Sequence, residues 1–316
     1  VRNKGSSRTY LPCGGILTMK KAVRKSPGAI VFIVIVGITL LIYCLSLCVP
    51  ILWAFNASTK TEMAYFENPF SLGGAHTWRN YTAIWKKLEI TIKVVGQPRK
   101  IYNVWTMLTY TLMLSFGKPT LVIFFTTVMA YCLSRFRFFG SKFLYSLGIV
   151  LMILPIYGTT GAQMKIYKAL GVYDNIFMNI IVSPSGCFWG MNFLMLYAAF
   201  KRIPTAYTEA AKIDGANDFD IFYRIMFPMV FTTSVVFWLL SFLGTWNDYN
   251  TSLVWLPSYP TLAYGMWVFK DQITVYGSST PEVLAGFLMM SIPLALLITV
   301  SKNLITEKMQ VGGLKG

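Results

Sequence analysis

Lys201-Arg202-Ile203-Pro204-Thr205-Ala206-Tyr207-Thr208-Glu209-Ala210-Ala211-Lys212-Ile213-Asp214-Gly215-Ala216-Asn217-Asp218-Phe219-Asp220-Ile221-Phe222-Tyr223-Arg224-Ile225-Met226-Phe227-Pro228 is the most informative stretch of this chain. It reads as helix, tight turn, helix. Pro204 suits a first helical turn. Gly215 suits the left-handed position that ends a helix. Asn217 can cap the next helix, with Asp218 and Asp220 favoured near its positive end. Phe219, Phe222, Tyr223 and Met226 then form an apolar stripe at helical spacing, and Pro228 closes the segment. An apolar run lies on each side of it. A short polar-faced helical pair between two such runs is a loop between membrane spans, exposed to a partner.

Working outward, six stretches are long and apolar enough to cross a bilayer, which takes about 20 residues as a helix. They are roughly Ile30–Trp53, Met107–Leu133, Phe143–Gln163, Ile176–Phe200, Phe227–Trp246 and Val283–Ser301. The first is too long for a cleaved signal core, and no small-residue cleavage site follows it. Composition agrees. Of 316 residues 55% are apolar and only 13% charged, against about 25% charged in ordinary soluble domains. The expectation is an all-α integral membrane protein of six spans.

A net charge of +16 has two readings, a nucleic-acid surface or the positive face of membrane loops. Distribution decides. Arg2, Lys4, Arg8, Lys20, Lys21, Arg24 and Lys25 precede span 1; Arg135, Arg137 and Lys142 follow span 2; Lys201, Arg202, Lys212 and Arg224 follow span 4; Lys302, Lys308 and Lys315 follow span 6. All four segments lie on one side, so both termini are expected in the cytoplasm and no nucleic-acid partner is expected. Residues 1–29 are a cytoplasmic N-terminal segment whose first 18 residues read as disordered. Residues 30–301 form the span domain, with 201–228 as its cytoplasmic loop, and 302–316 a cytoplasmic tail. Met19-Lys20-Lys21 would make an ordinary start for such a protein.

Inside the spans, Lys118-Pro119 is costly at membrane depth. The lysine snorkels or faces a water-filled cavity, contacts an anionic solute, or marks an offset span. Pro155, Gly158 and Gly161 break span 3, and Pro184-Ser185-Gly186 break span 4; such breaks serve either packing or a pathway. Tyr157 and Asn192 lie near these breaks and join Lys118, Trp246, Asn247 and Tyr249 as candidate substrate-pathway residues. Five cysteines and the single His76 form no metal-ligand cluster, and no metal site is expected. No Gly-rich phosphate loop occurs, so ATP, if it drives transport, is bound by another chain. A membrane enzyme acting on lipid-linked sugars would need convergent carboxylates or a nucleophile–base pair, and the scattered acids provide neither. A channel or assembly protein without ATP coupling is the other competing class.

Glu209-Ala210-Ala211, then Asp214-Gly215-Ala216, then Ile225 and Pro228, resemble the EAA coupling loop of ABC importer permeases, in the form found in the carbohydrate-uptake branch. Supporting likenesses are Asn68-Pro69-Phe70-Ser71-Leu72 with Asn80-Tyr81, the run Ala130–Phe138, Leu154-Pro155, Leu170-Gly171, the run Phe242–Tyr249 and the ending Gly312-Gly313-Leu314-Lys315-Gly316, which is MalG-like. Ala206 and Thr208 depart from the acidic residues often found before the motif, and the proline in span 2 is unusual.

The resemblance implies a type I ABC importer permease fold of six spans, not itself an enzyme and with no cofactor of its own. Its implied partners are a second permease subunit, an ATPase dimer binding ATP and Mg, an extracellular solute-binding protein, membrane lipid and a saccharide. Glu209, Ala210, Ala211, Asp214, Gly215 and Ala216 would form the ATPase-coupling helix. Trp255, Tyr259, Tyr264 and Trp267, with Tyr276, would lie in the loop that meets the binding protein; an aromatic belt at the interface is the alternative. The solute implied is an oligosaccharide or polysaccharide fragment; Lys118 and the Phe55–Thr106 loop, with seven Lys/Arg against Glu62, Glu67 and Glu89, either favour an acidic one or serve only contacts to a partner or lipid headgroups. A permease for another solute, such as a polyol phosphate or amino acid, is the alternative function.

Overall fold

A computed structural model describes residues 27–93, 98–154, 158–271 and 277–312, with side chains described as far as Lys302. The chain separates into two compact units, Val1–Leu52 and Trp53–Gly316. The described part of the first unit is the body of α1 (Pro27–Thr59), uniformly apolar from Ile30 to Leu52. Such a helix, hydrophobic all round, belongs in lipid. The expectation for residues 1–18 falls outside the described residues.

The second unit begins with the end of α1. Lys60, fully buried, donates from Nζ to the Asn68 carbonyl at 2.7 Å. After α2 (Glu62–Glu67) comes α3 (Arg79–Lys87), whose Asn80 amide donates to the carbonyls of Ser58 and Lys60 at 2.7 and 2.8 Å. The Tyr81 hydroxyl lies 2.7 Å from Ser58 Oγ. The Asn68 and Asn80-Tyr81 motifs are therefore a clasp that folds the loop back on the end of α1. The all-helical expectation needs one correction. β1 (Ile90–Ile92) and β2 (Lys100–Tyr102) pair antiparallel, with Thr91 opposite Ile101. Isoleucine and threonine at alternating positions suit a pleated strand.

α4 (Val104–Arg135) starts at an Asn103 cap, whose Oδ1 accepts from the Thr106 amide at 3.0 Å, and runs unbroken through Lys118-Pro119. α5 (Ser141–Ile153) has 13 residues. At 1.5 Å per residue that is about 20 Å, short of the roughly 30 Å hydrocarbon core. The expected third span thus divides into α5 and α6 (Thr160–Ala169), with Pro155 and Tyr157 outside the described residues. The fourth divides into α7 (Ile176–Val182), extended by a 3-10 turn at Ser183–Gly186, and α8 (Met191–Arg202), with a 55° bend at the break between Gly186 and Met191. The break begins directly after Pro184-Ser185-Gly186. Gly148 of α5 passes so close to this bend that a Cβ there would meet the Phe188 carbonyl oxygen at 2.5 Å. Among the described residues, four helices are long and apolar enough to cross a membrane, five if the bent pair counts as one.

α9 (Ala206–Ile213) and α10 (Asp218–Asp220) lead into α11 (Phe227–Trp246); α12 (Leu262–Asp271) and α13 (Thr280–Gly312) complete the chain. α13 continues as helix well past Ser301, through most of the stretch expected to be a tail. α4 and α11 form a spine with a core at each end. At one end Tyr131, Phe193, Phe200, Ile203, Ala211 and Met226 pack together. At the other, Ile84, Met107, Phe242, Trp246, Met266 and Phe269 do so.

Candidate functional site

The loop between α8 and α11 has the expected form. α9 ends at Gly215 with φ +80, and two bonds close the turn: the Ala216 amide donates to the Ala211 carbonyl at 2.9 Å and the Gly215 amide to the Lys212 carbonyl at 3.1 Å. This is the paired closure that a glycine in left-handed backbone permits. Asn217 Oδ1 then caps the next turn, accepting from the Asp220 amide at 2.8 Å. Pro204 lies before the helix rather than in its first turn, since α9 begins at Ala206 after Thr205.

Two further differences concern which face is free. Ala211 is buried against the core of α4, α8 and α11, while Glu209, Ala210, Asp214 and Gly215 are exposed and Ala216 half-buried. Of the two alanines of the motif, one is thus packed in the core and the other is free. Second, the expected stripe of Phe219, Phe222, Tyr223 and Met226 is split. Residues Ile221–Met226 adopt a π-helix, in which the Phe227 amide donates to the Phe222 carbonyl. The wider turn places Ile221 and Met226 together in the core and leaves Phe219 and Tyr223 exposed, their rings stacked 6° from parallel. Ile213, 87% exposed, and Tyr207 add apolar area to the same segment.

The tie that holds this segment to the spans is not evident in the sequence. Arg135, at the end of α4, donates from Nη2 to the carbonyls of Phe200 and Ile203 at 2.6 and 2.7 Å. These carbonyls lie at the end of α8, the negative end of the helix dipole, and the Phe200 carbonyl also accepts from the Ile203 amide at 3.1 Å. The only sequence signal is an arginine closing an apolar run; its partners lie 65 and 68 residues away.

Near the far end of α11, four of the candidate residues come together. Tyr249 and Trp267 stack 5.6 Å apart and 3° from parallel, and Tyr264 stacks on Trp267 at 6.0 Å. With Asn247, Lys270 and Ser291, Tyr249 and Trp267 line a cleft of about 270 Å³. Lys270 is exposed, and nothing in its sequence neighbourhood marks it as part of a site. Asn247 donates from Nδ2 to the Leu243 carbonyl, and among the described residues nothing donates to its Oδ1, which can accept from water or a solute.

The other candidates lie elsewhere. Trp246 is buried in the core, stacked on Phe242 at 5.8 Å, and faces an apolar cavity of about 190 Å³ instead of the cleft. Trp255 packs on Tyr167 and Tyr259 on Tyr110, both half-buried, because this part of the loop folds back over α4 and α6. Asp174, a non-glycine residue at φ +54, fastens that fold: its carboxylate accepts from the Ser258 amide at 2.8 Å and the Ser258 hydroxyl at 2.6 Å. The Tyr102 hydroxyl donates to the Ser258 carbonyl at 3.0 Å, and burial, then the neighbouring Tyr110, pushes that phenol above its ordinary pKa. Lys118 does not hang free: its Nζ donates to Thr251 Oγ1 at 3.4 Å, and Thr251 donates in turn to Asp248, both just past the end of α11. Asn192 sits in the first turn of α8, at the bend. Tyr157 and Tyr276 lie outside the described residues.

Residues 94–310 match the family model described as "Binding-protein-dependent transport system inner membrane component". The chain belongs to this family. It is a multi-pass permease subunit of an ABC transporter, not a catalytic chain. This permease is 29% identical over 192 residues to the galactooligosaccharides transport system permease protein GanQ of Bacillus subtilis, covering 60% of this chain and 67% of that one. It is 27% identical over 217 residues to the arabinooligosaccharides transport system permease protein AraQ of Halalkalibacterium halodurans, covering 67% and 75%. It is 24% identical over 249 residues to the diacetylchitobiose uptake system permease protein NgcG of Streptomyces coelicolor, covering 76% and 73%. In fold it is similar to a chain of a bacterial ABC transporter involved in the import of the acidic polysaccharide alginate, with a TM-score of 0.71 at 22% identity, over 88% of this chain and 98% of that one.

Proposed function

We propose that this permease is one half of the membrane channel of an ATP-driven importer that carries an oligosaccharide into the cytoplasm. The observation that carries the coupling is the two-faced α9. Its Ala211 side is locked into the core shared by α4, α8 and α11, while Glu209 and Ala210 stand free on the other side. A helix held this way moves with the spans when a partner moves it. The partner is an ATPase dimer that binds ATP and Mg, with Glu209 to Ala216 seated in a cleft of one ATPase subunit. ATPase closure displaces α9, Arg135 passes that displacement to α4, and the α4–α11 spine delivers it to the far cleft. The two sites and the element biased by both make this allostery in the strict sense.

The saccharide reading rests on the three relatives above, which are named for oligosaccharide transport or uptake, and on the aromatic cleft. Sugar rings present C–H faces that stack on aromatic rings, and Asn247 can read a hydroxyl. Lys270 at the same cleft favours an acidic saccharide. In this reading a second permease completes the channel and an external binding protein delivers the solute to the loop carrying Tyr264 and Trp267. The chain crosses the membrane six times, counting α5 with α6 and α7 with α8 as one span each. Both termini and α9 are cytoplasmic, by the distribution of basic residues.

The test is Glu209→Arg in the assembled complex. The variant is expected to fold and assemble yet to lose most transport and most solute-stimulated ATP hydrolysis. Full stimulated activity in the variant would overturn the coupling role.

A further inference from the structure

A cleft of about 1110 Å³ opens where α4 ends and α5 begins, on the same side as α9. Arg135, Arg137, Lys142 and Lys201 line it, and no acid does. None of the four forms an ion pair with a described residue. Arg135 spends Nη2 on the carbonyls of α8, but its Nε is a buried donor without a partner among the described residues. Lys201 leans over the Tyr197 ring at 5.4 Å, which fixes its ammonium at the rim. Interleaved with the cations are Phe138, Phe139 and Phe143; Phe139 is completely exposed and Phe143 68% exposed.

Exposed phenylalanines beside unpaired cations, at the point where an apolar span ends, are paired features of one environment. The rings suit the acyl boundary of a bilayer and the cations suit what lies just above it. A soluble anion would satisfy the charges and leave the rings in water. A protein surface would need to be acidic and apolar in alternation. An anionic phospholipid satisfies both in one molecule, its phosphate taken by guanidinium and ammonium groups and its chains by the rings.

We propose that this cleft binds the headgroup of an anionic phospholipid, bridging the α4–α5 turn to the end of α8. Thr205, which precedes α9, also lines the cleft, so the bound headgroup braces the base of the coupling helix. The site is independent of which solute the importer carries.

The experiment uses the permease assembled with its partner subunits, in nanodiscs of phosphatidylcholine alone or with a minority of phosphatidylglycerol, and counts retained lipid by native mass spectrometry. Wild type is expected to retain phosphatidylglycerol over phosphatidylcholine. Arg137→Gln/Lys142→Gln/Lys201→Gln is expected to weaken that retention by roughly tenfold or more, since each surface cation contributes separately to anionic-lipid affinity. Arg135 is left in place because it also holds α8. A charge-matched control, Arg79→Gln/Lys86→Gln/Lys100→Gln, alters exposed residues elsewhere and should retain the lipid as wild type does. Equal retention by wild type and the first triple variant would overturn the proposal, as would equal loss in the control. Displacement by inorganic phosphate at matched concentration would assign the cleft to a soluble anion instead. If the first triple variant keeps its lipid but loses the ATPase subunit, the proposal is overturned and the cleft is assigned to a protein.

Discussion

Arg135 Nη2 lies 2.7 Å from the carbonyl oxygen of Ile203, so the last residue of α4 is bonded to the residue that caps α8 ahead of α9. The same nitrogen reaches Phe200, and the pair of bonds closes the end of α8. Charge-assisted bonds of this kind contribute about 1.5–3 kcal/mol each. The two share one nitrogen and do not add in full, so Arg135→Ala is expected to lower stability by about 2–4 kcal/mol. It should also reduce stimulated ATP hydrolysis more than basal hydrolysis, because α9 loses its tie to α4. Chemical denaturation and the ratio of the two ATPase rates check both parts.

Gly215 adopts φ +80, and a methyl group in place of its α-hydrogen would meet nothing within 4 Å, so a substitution there brings backbone strain and no clash. Left-handed backbone costs an ordinary residue about 1–2 kcal/mol. The expected order of increasing destabilisation is Gly215→Asn, then Gly215→Ala, then Gly215→Val, since asparagine tolerates this region and β-branched residues do not. Thermal unfolding of the three variants reads the order directly.

Asp174 separates side-chain bonding from backbone strain at a single position. Asp174→Ala loses both bonds to Ser258 while keeping the left-handed backbone, an expected loss of about 2–4 kcal/mol. Asp174→Gly loses the same bonds and relieves the strain, so it should be more stable than the alanine variant by about 1 kcal/mol. Equal stabilities would mean that the strain is not felt.

The cleft makes a prediction about solute. Removing the ring that two others stack on, by Trp267→Ala, should raise the half-saturating concentration of stimulating saccharide by roughly 2- to 10-fold, the range that aromatic contacts contribute. Lys270→Gln should weaken stimulation by acidic saccharides and leave neutral ones unchanged. Trp246→Phe, in the core away from the cleft, should alter neither.

Sequence reading reaches as far as local determinants do. The α9 turn is legible because Gly215 and Asn217 act on their own neighbours, and the bend in span 4 because Pro184-Ser185-Gly186 break a helix wherever they occur. The clamp is not legible, since nothing near Arg135 indicates that its acceptors are Phe200 and Ile203. Nor is the π-turn at Ile221–Met226, which shifts the helical phase by one residue and so moves Phe219 and Tyr223 from an inner stripe to a free surface. Tyr249 and Trp267 carry different expected roles and meet in one stack. Their meeting depends on the path of the intervening loop, to which Asp174 contributes from another helix pair.

The most direct test of the account is ATP hydrolysis by the complex proposed above, this permease assembled with a second permease, an ATPase and a binding protein, across neutral and acidic oligosaccharides. Wild type should be stimulated by one saccharide class, only when the binding protein is present, and Glu209→Arg should abolish that stimulation without preventing assembly. Hydrolysis indifferent to every saccharide, or stimulation that survives Glu209→Arg, would contradict it.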